Sequence, residues 1–156
     1  MQPGGYSGYD KGLSVLAKYG LTSEHTYRGR GALLCQTQQG LKIIRPYEGS
    51  VDRLEKVYEL LKHLQESGHE LVDQFLRNDE GSLISTDKEG ISYIVKDWWD
   101  AREFDARSGN DVWKAVKSLA MLHRDMYLAP HACEDISMSF LQKQDLRTTY
   151  RRRNQE

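Results

Sequence analysis

Cysteine is scarce in this sequence: Cys35 and Cys133 are the only two, far apart and without metal-ligand spacing. That excludes a zinc module built on thiolates, and His25, His63, His69 and His131 share no ligand spacing either, so no metal site is expected. A single disulfide between the two cysteines stays open, but nothing else points to an oxidising compartment, and Cys35 sits in a strand-like run as a small buried hydrophobe. No apolar run approaches membrane-spanning length. The first nine residues, Met1 to Tyr9, are rich in Gly and Tyr and lack the basic start and apolar stretch of a signal peptide, so they read as a flexible tail. The expected address is the cytoplasm. Charge of one sign is lacking too: 22 Lys+Arg stand against 23 Asp+Glu, a net charge of -1. Such a balance gives no whole-molecule attraction to nucleic acid or to an acidic membrane, and neither is expected as a partner.

What remains is a chain of 156 residues, 38% hydrophobic and 29% charged, enough for one ordinary domain with a wet surface. A short helix is predicted from Asp10 to Tyr19, stopped by Gly20. Three antiparallel strands follow, running through His25–Gly31, Ala32–Thr37 and Leu41–Arg45. The last two join at Gln38-Gln39-Gly40, and Pro46 ends the third. Ser50–Ser67 is the clearest helix: Ser50 suits the N-cap, and Leu54, Val57, Tyr58, Leu61 and Leu64 recur at helical spacing up to Gly68. Leu71–Arg77 and a weak Ser82–Thr86 are strand candidates around the Asn78–Gly81 turn, and Ile91–Trp98 is a stronger one after Lys88-Glu89-Gly90. Trp99–Gly109 is a polar connection. Asn110 is expected to cap a helix through Met126, with Val112, Trp113, Val116, Leu119, Ala120 and His123 on one side. Glu134–Glu156 is helical in pattern and increasingly basic.

Two runs, Arg28–Arg45 and Arg53–Leu64, resemble the start of the CotS-type spore-coat family, which has the aminoglycoside-phosphotransferase kinase fold. The stretch Tyr93–Asp105 and then Leu119-Ala-Met-Leu-His123 match the same family in order. The resemblance covers roughly residues 10 to 156 and about the first half of the family's usual length. It implies an α+β kinase-like N-lobe over residues 10–100, a five-stranded antiparallel sheet with one long helix. A hinge connection and the first helices of a C-lobe would follow over 101–156. It also implies a spore-coat setting and ATP as the ligand, although no cofactor is required by the residues themselves.

On that pattern, the turn between the first two strands would cover nucleotide phosphates, with Gly29 and Gly31 letting backbone N–H groups approach and Arg28 and Arg30 adding charge. The plainer alternative is a glycine-bearing hairpin turn with solvated arginines. A kinase of this fold needs a third-strand lysine clamped by a helix glutamate. Arg45 stands where the resemblance puts that lysine, with Lys42 on the opposite side of the strand. The glutamate position falls nearest Val57; the flanking Glu55 and Glu59 lie about 200° around the helix from it. Both clamp positions depart from the pattern, and arginine does not replace lysine in geometry. Val95-Lys96-Asp97-Trp98 resembles the hinge, making Lys96 and Trp98 candidate nucleotide contacts, with plain packing the alternative for Trp98 and Trp99.

No catalytic residue is assigned. His123-Arg124-Asp125 imitates a kinase catalytic loop, but Pro130 stands where an asparagine is needed, and the triplet ends a helix. The basic run Arg147, Arg151, Arg152 and Arg153 reads as a solvated helix face. Three classes of function stay open: a catalytically silent spore-coat-like protein, the nucleotide-binding half of a small-molecule phosphotransferase, and a domain that completes its site with another chain. The mid-helix end at Glu156 suggests a fragment, and the apolar side of Trp113, Leu119 and Leu122 suggests self-association, with spore-coat proteins as the other expected partners.

Overall fold

The computed structural model describes residues 12–29, 31–129 and 135–136. Arg30, Cys133, His131, the predicted tail and the basic Glu134–Glu156 helix fall mostly or wholly outside those residues. The chain forms two compact units, Met1–Glu55 with Asp73–Asp100, and Lys56–Val72 with Ala101–Glu156.

In the first unit the predicted N-terminal helix is a 3₁₀ helix, Leu13–Tyr19, which starts later than expected. Gly20 ends it in the left-handed conformation (φ 66°), and its N–H bonds the carbonyl of Ala17. A five-stranded antiparallel sheet follows: β1 (Ser23–Gly29), β2 (Ala32–Thr37), β3 (Gly40–Pro46), β4 (Ser85–Thr86) and β5 (Ser92–Asp97), in the order β1-β2-β3-β5-β4. Thr37 opposes Gly40 across the Gln38-Gln39 turn, and the Thr37 hydroxyl donates to the Gly40 carbonyl at 2.7 Å. Leu33, Cys35, Ile44, Tyr93 and Val95 share one face and pack with Val15 and Leu16 of the 3₁₀ segment and with Leu21 just after it. Cys35 is a free, fully buried thiol, and burial pushes its pKa up, as suits a small core hydrophobe. Lys42 lies on this face as well, buried, with its ammonium 2.7 Å from Asp97 and 2.8 Å from the Gln39 carbonyl. It ties the β2–β3 turn to the end of β5.

Leu71–Arg77, a strand candidate from the sequence, is not a strand. It makes one isolated bridge, Phe75 to Lys96, flanked by Leu76 N–H to Val95 O and Asp97 N–H to Gln74 O. The outer edge of β5 is divided: β4 pairs with Ser92 and Tyr93 at its start, and the Gln74–Leu76 segment takes its end. Between them the chain must turn, and Asn78 organises the turn. Its buried side chain donates to Ile84 O and Ser85 Oγ and accepts from the N–H groups of Glu80 and Ser82. Ser85 Oγ in turn donates to the Tyr19 hydroxyl. All four side-chain hydrogen-bonding positions of the amide are thereby matched, which is what allows it to be buried.

The long helix α1 (Val51–Glu66) is capped as expected: Ser50 Oγ accepts from Arg53 N–H. Its first turn belongs to the first unit and the remainder to the second. In the second unit Leu60 and Leu64 of α1 pack with Met126 of α2 (Gly109–Tyr127). The cap of α2 is Ser108, not Asn110; Ser108 Oγ accepts from Asp111 N–H at 3.3 Å. Asn110 lies within the first turn. Val112, Trp113 and Val116, grouped by spacing on one side of α2, are exposed.

Candidate functional site at the glycine turn

Hairpin geometry places the site. β1 and β2 join at a tight turn, with Gly29 opposite Ala32, and Gly31 adopts φ 67°, a conformation that glycine reaches without the steric cost other residues incur. Beside this turn an open cleft of about 510 Å³ is lined by Arg28, Gly29, Gly31 and Ala32, by Leu33 and Ile44 on the core-facing side of the sheet, and by Pro46, Glu48, Ile91 and Tyr93. Its floor is apolar. Among the described residues its charged lining is Arg28 and Glu48, one group of each sign. Burial pushes the Tyr93 phenol up, with Asp87 nearby adding to the shift, so the ring presents a neutral hydroxyl. The arrangement suits a flat or apolar group over Ile44 and Tyr93 with a polar end toward the glycine turn.

Of the residues singled out from the sequence, Arg28, Gly29 and Gly31 meet at this cleft. Arg45 does not line it. Ile44 does, and the strand alternation sends Arg45 to the other face, where it is exposed and has no ion pair among the described residues. Glu55, one of the two glutamates considered for the clamp, is held by Arg77 in a two-armed ion pair at 2.7 and 3.0 Å, which lowers its carboxyl below the usual range. Glu59 is exposed.

Lys96 and Trp98 stand at and just past the far end of β5 from the glycine turn, four and six residues, or about 13 and 20 Å, beyond the strand's start. Lys96 is engaged by Asp73 and lies 4.8 Å above the Phe75 ring. Two N–H groups of the segment expected to form a hinge are bonded within the unit, Asp97 to Gln74 O and Trp98 to Leu41 O. The sequence reading missed Glu48, Ile91 and Tyr93 as cleft residues, and Asp73 and Phe75 as partners of Lys96. The β3–β5 register, Pro46 against Tyr93, is the feature that brings the first group to the turn, and it follows from strand pairing rather than from any local motif.

The His123-Arg124-Asp125 triplet lies inside α2 in the second unit. Asp125 is buried; Arg124 and His69 both hydrogen-bond to its carboxylate, which lowers its pKa, and His63 Nε2 lies 2.9 Å from its carbonyl oxygen. These contacts fasten the end of α1 and the following turn to α2. Among the described residues no group of three His, Cys, Asp or Glu could hold a metal ion, and no helix is long and apolar enough to cross a membrane.

No family model and no curated protein matches the chain. Among solved structures, the aminoglycoside phosphotransferase of Alicyclobacillus acidocaldarius is similar, with a TM-score of 0.60 and 16% identity over 72% of this chain and 34% of that one. This chain thus spans about a third of that protein's length. The likeness shows the fold: an α+β kinase-like N-lobe architecture of five antiparallel strands and one long helix, followed by further helical structure.

Proposed function

We propose that this chain is a kinase-fold protein without phosphoryl-transfer activity of its own, serving as a scaffold of the spore-coat type. The observation that carries this reading is the dispersal of the phosphate clamp. Arg45 faces away from the glycine cleft, and Glu55 is bound to Arg77 instead of a β3 cation. Phosphoryl transfer depends on a positioned cation, metal ions and a group that orients the attacking hydroxyl. The one triplet that imitates such a group, ending in Asp125, is tied into helix packing. The spore-coat setting is supported by the motif order over Arg28–Arg45, Arg53–Leu64 and Tyr93–Asp105, and by no other observation.

A second reading, the nucleotide-binding part of a longer ATP-dependent phosphotransferase, is favoured by the meeting of Arg28, Gly29 and Gly31 at one cleft. Thermal unfolding with and without Mg-ATP separates the two. The scaffold reading expects no saturable rise in Tm and no ATP turnover by the pure chain. Ligand held at a hundred times its Kd would add about 2.7 kcal/mol of stability, well within detection. A saturable rise that disappears in Arg28→Ala would favour the second reading, and turnover by the pure chain would overturn the first.

A further inference from the structure

The cleft beside the glycine turn lies where the N-terminal part of the chain enters the fold. Leu33, Ile44 and Tyr93 line it and also belong to the apolar cluster under the 3₁₀ segment, so the cleft continues that face of the sheet. The 3₁₀ segment is entered through Gly12, which is buried and pressed against two of these lining residues. A Cβ at Gly12 would come within 2.9 Å of the Tyr93 ring and 3.2 Å of the Ile44 side chain. Its φ of 91° is one that glycine adopts without strain, and its carbonyl accepts from Val15 N–H at 3.2 Å. The chain before Gly12 is therefore anchored at the cleft itself.

The reach of that segment matches the cleft. Arg28, Leu33 and Ile44 stand in one row across β1, β2 and β3, so two strand spacings, about 10 Å, separate Ile44 from β1. A chain advances at most about 3.6 Å per residue, so Tyr9, three residues before Gly12, stays within about 11 Å of it. Its side chain also matches. A tyrosine offers a flat apolar ring to the Leu33, Ile44, Ile91 and Tyr93 lining, with a hydroxyl that can stay wet at the open side. Gly8 adds no bulk that would hold the backbone off the sheet. Lys11, next to Gly12, carries the charge opposite to that of Glu48, an exposed lining residue. A tether this short holds the ring at an effective concentration on the order of millimolar or more, so even a weak contact fills the cleft.

We propose that this cleft is the docking site of the chain's own N-terminal segment, with the Tyr9 ring seated over Ile44 and Tyr93 and Lys11 turned toward Glu48. Any other ligand of the cleft has to displace that ring. The docking stands whether or not the chain transfers phosphate, and its primary readout needs no nucleotide.

Methyl NMR on the full chain tests it, read at Leu33, Ile44 and Ile91, with Leu64 and Leu122 of the second unit as reference signals. Nuclear Overhauser contacts are expected from the Tyr9 ring to the Ile44 and Ile91 methyls. Tyr9→Ala should remove them and shift the cleft methyls while Leu64 and Leu122 keep their positions, a pattern that misfolding would not produce. Tyr9→Phe keeps the ring and should keep the contacts. Glu48→Lys should weaken them, and Lys11→Glu combined with Glu48→Lys should restore them. Absence of any Tyr9 contact, or cleft methyls indifferent to Tyr9→Ala, overturns the proposal. A double variant no stronger than Glu48→Lys alone overturns its charge pairing. Contacts seen only between chains, in a mixture of methyl-labelled and tyrosine-labelled copies, also overturn it and assign the cleft to a second copy. So do cleft methyls that titrate at the same Mg-ATP concentration in the wild-type chain and in Tyr9→Ala, since a docked ring has to be displaced first.

Discussion

Asp111 carries more of the local order than its place in the first turn of α2 suggests. Its side chain is nearly buried and accepts two bonds from the Arg102 guanidinium, at 2.7 and 3.0 Å, and one from the Asp105 N–H at 3.0 Å. The guanidinium bonds, then the backbone donor, lower its pKa from 3.8 to about 2. A carboxylate depressed in the folded state stabilises that state fully above its ordinary pKa, and the contribution fades as pH falls from about 4 through about 2. The expected outcome is a carboxyl titration for Asp111 near 2 by NMR, with Arg102→Ala moving it back toward the ordinary value. A midpoint already at 3.8 in the wild-type chain would show that the turn is not built around this ion pair. Nothing in the sequence between Trp99 and Gly109 announces it. Residues nine apart in an irregular connection have no fixed separation until the backbone is set. Asn78 makes the same point: one asparagine in a run of turn-forming residues becomes a buried hub only because the divided edge of β5 forces the chain around it.

Elements were legible where one local rule dominated. The β2–β3 hairpin, the α1 cap at Ser50 and the left-handed stop at Gly20 follow from turn chemistry and period alone. Leu71–Arg77 falls short of the expected strand because local composition cannot say whether a partner edge is free, and β5 gives that segment only one bridge. The cleft was half legible. Its glycines follow from the turn, but the placement of Arg45 opposite Ile44 depends on which sheet face the 3₁₀ segment covers, which is a tertiary fact. The cap of α2 was misplaced because Ser108 and Asn110 are both good cap formers, and only the bond to Asp111 decides between them. Replacing Ser108 with alanine should cost about 1 kcal/mol, while Asn110→Ala should leave stability within about 0.5 kcal/mol. Urea midpoints read both, and an equal loss in the two variants would return the cap to Asn110.

At the scale of the molecule, the order of strands and the long helix follows the kinase-like pattern, yet compactness does not respect that pattern's lobe boundary. The helix α1 starts with the sheet and continues into the other unit, where Leu60 and Leu64 join Met126. Each unit thus has an apolar cluster of its own: Val15, Leu16, Cys35, Ile44 and Val95 in the first, and the α1–α2 leucines and methionine in the second. Clusters without shared members should respond to mutation separately. Ile44→Ala deletes a side chain that is 1% exposed in the first cluster and should cost about 2 to 5 kcal/mol there. Amide exchange should then quicken across β2, β3 and β5 while α2 keeps its wild-type protection. Leu64→Ala should do the reverse, opening α2 and the later turns of α1 and sparing the strands. If both variants instead released all amides together, the two clusters would unfold as one cooperative body, and the covalent path through α1 would be transmitting stability along its whole length.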